Sequence, residues 1–230
     1  MKSTSAANPV KTRNRKNHET SGKAAVTRSR LLDAAAKVMG EVGYTGMRLA
    51  DVGEAAGVQA PAIYYHFNSK EDLACEVFKS GLVRSAETME RSLLACSEMN
   101  ALQRVAVAIE VHLRMTARRS DYARATAYRF GGHVPSSIQE YCRPYERNYA
   151  RIWVRLLSEA SEEGLLREGV DPKTAHLMLL GALNSVSYTW KPERSAEVDR
   201  VIVSCQQILL NGLARESLDL TDLSFGLDET

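Results

Sequence analysis

Apolar residues recur at helical spacing through most of this chain, and every element they predict is a helix. Leu31, Leu32, Ala35, Val38, Met39 and Val42 give a first helix one buried face, and Gly43 ends it. Ala55, Ala56 and Gly57 close a second helix, with Gly57 where a left-handed backbone is expected. Pro61 sits in the first turn of a short third helix, about Gln59 to Tyr65, which carries Ile63 as its inward anchor. Two short helices around a tight turn form a helix–turn–helix, the unit that presents its second helix to the major groove of DNA. Ser69 then opens a fourth helix reaching about residue 95, with Leu73, Val77, Leu82, Met89 and Leu93 along its apolar face. Ser69 and Asp72 have near-capping-box spacing, and Glu71 and Asp72 suit the positive end of the helix dipole. This long helix joins the reading head to everything after it, which makes it the natural lever for a signal.

From Asn100 onward the pattern is helical throughout. Asn100 caps a helix to about Arg118, Asp121 the next, and Pro135 opens an amphipathic stretch to Glu163 with a bend expected at Pro144. Asp171-Pro172 starts a helix from Lys173 to Trp190 that is apolar on nearly every side, through Leu177, Met178, Leu180, Leu183 and Val186. A helix of that kind is buried on both sides. Paired with the amphipathic last helix, Ser195 to Arg215, it predicts a four-helix interface with a second copy of the chain. The competing reading, a wholly internal helix, leaves it with too few neighbours in a domain of this size. The fold class is therefore all-α: a helix–turn–helix domain over 25–71 and a larger helical domain over 72–215. Residues 1–24 lack apolar periodicity and are expected to form a flexible basic arm. Residues 216–230 form an acidic tail with no assigned role.

Charge is distributed unevenly. Eight Lys and Arg against the single acid Glu19 give the first thirty residues +7, although the whole chain carries only +2. A basic segment just ahead of a DNA-reading motif adds phosphate contacts or enters a minor groove, or it is simply a solvated leader. Four scattered cysteines, Cys75, Cys96, Cys142 and Cys205, have no zinc spacing and read as small apolar residues in a reducing, cytosolic protein. With no apolar run of membrane length and a polar N-terminus, no membrane partner is expected.

Gly43-Tyr44, then Asp51-Val52-Gly53-Glu54-Ala55-Ala56-Gly57-Val58, then Ile63-Tyr64-Tyr65-His66-Phe67-Asn68-Ser69-Lys70-Glu71-Asp72-Leu73 resembles the DNA-binding domain of TetR-family repressors. Met47 and Arg48 stand where the family usually has hydroxyl residues, so the second helix lacks its usual cap. Gly53 replaces the usual alanine, at roughly 1 kcal/mol of helix propensity. On the third helix, Gln59, Ala60, Pro61, Ala62 and Tyr65 are the base-facing candidates: Gln59 can hydrogen-bond a base edge, and the small apolar residues suit a thymine methyl. The resemblance implies phosphate or base contacts for Tyr64 and His66 and a phosphate contact for Lys70. Arg48, Thr27 and Arg28 are added as phosphate candidates, and Phe67 is read as core.

In the larger domain, polar residues on apolar faces are the ligand candidates: His112, Arg124, Tyr128, Asn184, Tyr188 and Trp190. Gly181-Ala182-Leu183-Asn184 followed by Trp190-Lys191-Pro192 is similar to the C-terminal domain of TetR-family regulators of lipid and steroid catabolism. That resemblance implies an acyl-CoA thioester as effector, with Arg124, Arg129 or Arg147 as the cation for its phosphates. No nucleophile elbow, metal-binding His motif or phosphate-binding glycine loop is present, so neither an enzyme nor a cofactor is expected. The expected function is a homodimeric repressor released from an inverted-repeat operator in double-stranded DNA by a small apolar or acyl-CoA-like effector. An architectural DNA binder without a ligand is the alternative, and it requires a mostly filled second domain.

Overall fold

Two glycines with positive φ set the path of the first three helices. The computed structural model describes residues 10–117, 120–130, 134–189 and 195–216, with side chains from residue 24 on except those of 60, 128–130, 188 and 195. Helix α1 (Val10–Gly46) kinks at Gly43, where φ is 71° and ψ 175°, an essentially glycine-only conformation that costs other residues on the order of 1–3 kcal/mol. α2 (Leu49–Ala56) ends at Gly57, φ 65°, and the Val58 N–H returns to the Gly53 carbonyl at 2.9 Å in a Schellman closure. α3 (Ala60–Tyr64) follows directly. Arg48 occupies the N-cap of α2 with no side-chain cap bond, as its lack of a hydroxyl implies.

Of the expected flexible arm over 1–24, residues 10–24 are helical as part of α1, and residues 1–9 lie outside the described residues. Absence of apolar periodicity removes the packing signal but not the helix propensity of Lys, Arg, Glu and Ala. α4 (Lys70–Leu94) is capped by Ser69, whose Oγ accepts from the Asp72 N–H at 3.0 Å. Asp72 reaches back to the Asn68 N–H at 3.0 Å, completing a reciprocal cap one residue further upstream than a capping box.

α5 (Ala101–Ala117) starts with a reciprocal box between Asn100 and Gln103. α6 (Asp121–Phe130) is capped by Ser120 and not by Asp121: Ser120 Oγ accepts from the Ala123 N–H, and Asp121 pairs with Arg124 at 2.6 Å. α7 (Ser136–Glu162) continues through Pro144, α8 (Pro172–Thr189) is capped by Asp171, and α9 (Ser195–Leu213) closes the order.

Two hydrophobic clusters organise these helices. One joins α1–α3 to Leu73, Val77, Phe78 and Leu82 of α4, Tyr122 and Ala125 of α6, and Ile138 and Cys142 of α7. The head's core thus continues past residue 71 into the larger domain. Ala86, Met89 and Leu93, further along α4, belong to the second cluster with α5, α7, α8 and α9. At 1.5 Å per residue α4 spans about 37 Å, and it is a structural member of both cores. Cys75, Cys96 and Cys142 are buried and Cys205 half-buried, none of them in a disulfide. No helix among the described residues is long and apolar enough to cross a membrane.

α8 is not covered on every side. Ala175, Leu179 and Leu183 face the domain, whereas Leu177 and Met178 are 67% and 71% exposed. Val203 and Ile208 on α9 are open as well. Single-chain burial therefore accounts for one face of α8 only.

Candidate functional site

The reading surface is built on α2, α3 and the start of α4. Ile63 and Phe67 are buried and anchor α3, so the residues between and around them are held outward. Gln59 is exposed at the N-cap of α3 with no side-chain cap bond, Pro61 is exposed and Ala62 is half-buried. Tyr64 and Tyr65 are 60% and 81% exposed, and the Tyr65 ring meets His66 edge-on at 5.1 Å. Two adjacent exposed aromatic rings make a contiguous patch of the kind that marks a contact surface. Lys70 Nζ lies 4.6 Å from the Tyr44 ring and 3.3 Å from the Thr45 carbonyl, with burial lowering its pKa. Arg48 is exposed at the N-cap of α2, Thr27 is half-buried on α1, and the Ala60 side chain lies outside the described residues.

Arg28 has another role. Its guanidinium pairs with Glu76 at 2.8 Å and lies 4.9 Å over the Phe67 ring. Glu76 also accepts from Lys79 and from Tyr141 Oη, joining α1, α4 and α7. Burial alone would raise the Glu76 carboxyl, but the Tyr141, Arg28 and Lys79 hydrogen bonds outweigh it and hold it at about 2. Arg28, expected as a phosphate contact, is thus held by Glu76 and Phe67 with its side chain 41% exposed.

Positioning and reading separate by mutation. Lys70→Ala is expected to weaken operator and random DNA alike and to lower the salt slope by about 1. Gln59→Ala is expected to relax preference at one base pair, at roughly 1–3 kcal/mol. Identical sequence profiles and salt slopes for the two variants in a binding titration would contradict these roles.

The second site is a partly open cavity of about 220 Å³ walled by α4, α5, α6, α7 and α8. Its wall is largely apolar, and among the described residues lining it Glu146 is the one charged side chain. The wall hydroxyls of Ser85, Thr126 and Ser187 are spent on carbonyls of their own helices. His112 and Asn184, both expected as ligand residues, do line it. Arg124 does not: it lies against Gly40 of α1, where an added Cβ would be 3.1 Å from Arg124 Cβ, and pairs with Asp121. Trp190 and the side chains of Tyr128, Arg129 and Tyr188 lie outside the described residues. Arg147 is exposed on α7. A filled domain, which the architectural alternative requires, is not what α4–α8 enclose.

Sequence reasoning missed the aromatic pair on α7. Tyr149 Oη lies 3.0 Å from His112 Nδ1, and the Trp153 ring packs edge-on at 6.2 Å. Both fall on one face at i and i+4, a spacing that reads as core unless the facing residue is known to be His112. His112 is 6% exposed, and its Nε2 is shut off from solvent on the side of Asn184. Burial pushes its pKa from 6.5 down to about 4, opposed by Asn184. The unfolded chain therefore binds a proton below 6.5 that the folded chain refuses until about 4. Stability is expected to fall as pH drops through that window, by on the order of 3 kcal/mol. His176, also pushed down by burial, adds a slope of the same sign, so the His112 share is the difference between wild type and His112→Gln. Equal slopes in urea melts at pH values across the window would contradict it.

α6 connects the two sites. Its Ala123, Thr126 and Ala127 face the cavity, while Tyr122 Oη donates to Asp33 of α1 at 2.9 Å. It also approaches α4 closely, since a Cβ on Gly81 would be 2.5 Å from Thr126 Oγ1. The helix that walls the cavity thus packs on the helix that carries the reading head.

Comparison with known proteins agrees with this architecture. The sequence matches the family described as bacterial regulatory proteins, tetR family, over residues 31–77, and the tetracyclin repressor-like C-terminal domain over residues 98–213. It is 26% identical over 160 residues to the fatty acid metabolism regulator protein of Bacillus subtilis, covering 70% of this chain and 81% of that one. Identity to the HTH-type transcriptional repressor KstR2 of Rhodococcus jostii is 25% over 201 residues, covering 85% and 95%. The crystal structure of FadR from Bacillus subtilis in complex with stearoyl-CoA superposes with a TM-score of 0.70 at 24% identity, covering 80% of this chain and 98% of that one. With a helix–turn–helix head, a shared α4 and both family regions matched in order, the chain belongs to the TetR family and is a DNA-binding transcriptional regulator.

Proposed function

We propose that the protein represses from an inverted-repeat operator as a twofold dimer, and is released by a small effector whose apolar part enters the α4–α8 cavity. The observation that carries the release reading is the sharing of walls: α4 and α6 line the cavity and pack against the reading head. A ligand that prefers one arrangement of these helices shifts the head, and only that difference in affinity does work.

The dimer reading rests on Leu177, Met178, Val203 and Ile208, four large apolar side chains exposed on adjacent helices. A Cβ added at Gly181 or at Gly212 would meet nothing, and a groove of about 420 Å³ is lined by Met178, Ile208 and Gly212. An isologous pairing of α8 and α9 buries this patch against itself. Two heads would then read half-sites on the order of 34–36 Å apart, or a multiple of that.

An acyl-CoA thioester is the effector class we favour, supported by the stearoyl-CoA that the Bacillus FadR structure holds. The cavity suits the acyl part only. It has no cationic side chain among its described lining residues, and Arg147, exposed on α7, is the candidate cation for phosphates held outside it. A cavity of about 150 Å³ accommodates benzene, so this one takes roughly eight to ten heavy atoms. The test is a fluorescence titration of operator-bound protein with thioesters from butyryl- to stearoyl-CoA, with free CoA as control. Release is expected to peak near octanoyl- to decanoyl-CoA. Release by none of them would overturn the effector class.

A further inference from the structure

α3 is five residues long, too short to hold a direction of its own, so its pose on DNA is set by what it packs against. Its anchors are the buried Ile63 and Phe67, tied by a 2.9 Å hydrogen bond from the Phe67 N–H to the Ile63 carbonyl. Two arginines of α1 hold the helix–turn–helix at both ends. Arg30 donates to the Ala56 carbonyl at 2.6 Å, at the end of α2, and the Arg28 guanidinium lies 4.9 Å over the Phe67 ring. A guanidinium stacked on a ring fixes where that ring sits only if the guanidinium is itself fixed.

What fixes it lies in the larger domain. Arg28 donates to Glu76 Oε2 at 2.8 Å, and Tyr141 Oη donates to Glu76 Oε1 at 2.6 Å, the length of a charge-assisted bond. Lys79 reaches the same Oε1 from within α4 at 3.3 Å, so the Tyr141 bond is the shorter of the two on that oxygen. The carboxylate is thus held through both oxygens, one toward α1 and one toward α7. Tyr141 is placed by its own helix in turn. Ile138 and Cys142, on either side of it in sequence, are buried in the core of the head, and Ser137 Oγ donates to Glu71 at the start of α4. Beyond Pro144 the same helix joins the second core through Tyr149 and Trp153. The first turns of α7 therefore belong to the head by contact, although 65 residues separate Tyr141 from Glu76.

We propose that Tyr141, a residue of the larger domain, positions the recognition helix through Glu76 and Arg28, so that its hydroxyl is a determinant of operator preference. The relay runs from Tyr141 Oη to Glu76, from Glu76 to Arg28, from Arg28 onto Phe67, and from Phe67 to α3. Without the hydroxyl Glu76 keeps its charge and its cations but loses its shortest tether, and the arginine it carries is no longer fixed over the ring. Contacts to base edges need α3 placed closely, whereas contacts to phosphates carry no sequence information. The loss therefore falls on preference and not on DNA binding in general. Neither Tyr141 nor Arg28 has to touch DNA for this to hold.

The experiment measures dissociation constants of the full-length protein for two duplexes across a salt series. One is the duplex that wild type selects from a random pool, and the other is the unselected pool. Tyr141→Phe is expected to bind the selected duplex about fivefold or more weakly, with pool affinity, both salt slopes and melting temperature close to wild type. Arg28→Lys keeps the charge but not the planar face, and the same selective loss is expected. A phosphate contact at this position would instead tolerate lysine. Because both changes break one relay, the double variant should lose no more than the larger single loss. Wild-type preference in either single variant overturns the proposal. Equal losses on both duplexes do so too, since a residue that only stabilises the fold lowers the active fraction for any DNA. Losses that multiply in the double variant make the two residues independent and likewise overturn it.

Discussion

A Met178→Glu, Ile208→Glu double variant is expected to be a folded monomer whose operator affinity falls by roughly 10²–10⁴-fold. The two side chains are 71% and 73% exposed in the single chain, so the monomer loses little packing when they change. In the dimer the same positions would bury four carboxylates against one another with no cation, a cost no isologous interface absorbs. Each half-site contact would survive, but the second head would no longer be held at high effective concentration, and that is where the expected loss arises. Sedimentation and an operator titration read the two effects separately. A variant that stays dimeric, or a monomer that still binds operator as the wild type does, would contradict the twofold account. Melting behaviour close to wild type is part of the expectation, because α8 and α9 remain fixed by Leu179, Leu183, Ile202 and Leu210 on their inner faces.

Gly81→Val is expected to mimic the effector. A Cβ at this position of α4 would sit 2.5 Å from Thr126 Oγ1 and 3.2 Å from the Tyr122 carbonyl oxygen of α6. Thr126 cannot simply rotate away without giving up its 2.8 Å hydrogen bond to that same carbonyl. The carbonyl is backbone, so the helices themselves must separate, at about 1–3 kcal/mol for overpacking of this kind. Because Tyr122 is tied to Asp33 and α6 packs along α1, the displacement is delivered to the reading head. Operator affinity should fall by the range typical of allosteric coupling, roughly 5–150-fold, without added ligand. Gly81→Ala should show a smaller effect of the same sign. Valine at this position with wild-type operator affinity and wild-type release would remove α6 from the coupling path.

What was legible in the sequence was what neighbours in sequence decide. Gly57 as a left-handed cap, Pro61 in the first turn of α3 and Ser69 as the cap of α4 each follow from a local backbone rule, and each is found in place. Even the missing hydroxyl at Arg48 appears as an uncapped α2. The errors lie where the deciding partner is far along the chain. Arg28 looked like one more cation in a basic segment, but Glu76 and Phe67 take it. Arg124 looked like a phosphate ligand on an apolar helix, but α6 turns that side toward Gly40. His112 and Asn184 were singled out because polar residues on apolar faces stand out, and both line the cavity. Tyr149 and Trp153 were not, because aromatic residues on an amphipathic helix are indistinguishable from ordinary core until the opposing helix is known. The latch between Asp33 and Tyr122 left no sequence signal at all.

The central claim is that the cavity and the reading head exchange free energy. Linkage makes that claim symmetric: an effector that weakens operator binding must itself be bound more weakly, by the same factor, when operator is present. The direct measurement is the effector dissociation constant with and without saturating operator, alongside the operator dissociation constant with and without saturating effector. The account expects both ratios to exceed about 5 and to agree. Equal effector affinity in the presence and absence of operator would show that whatever fills the cavity does not speak to the DNA.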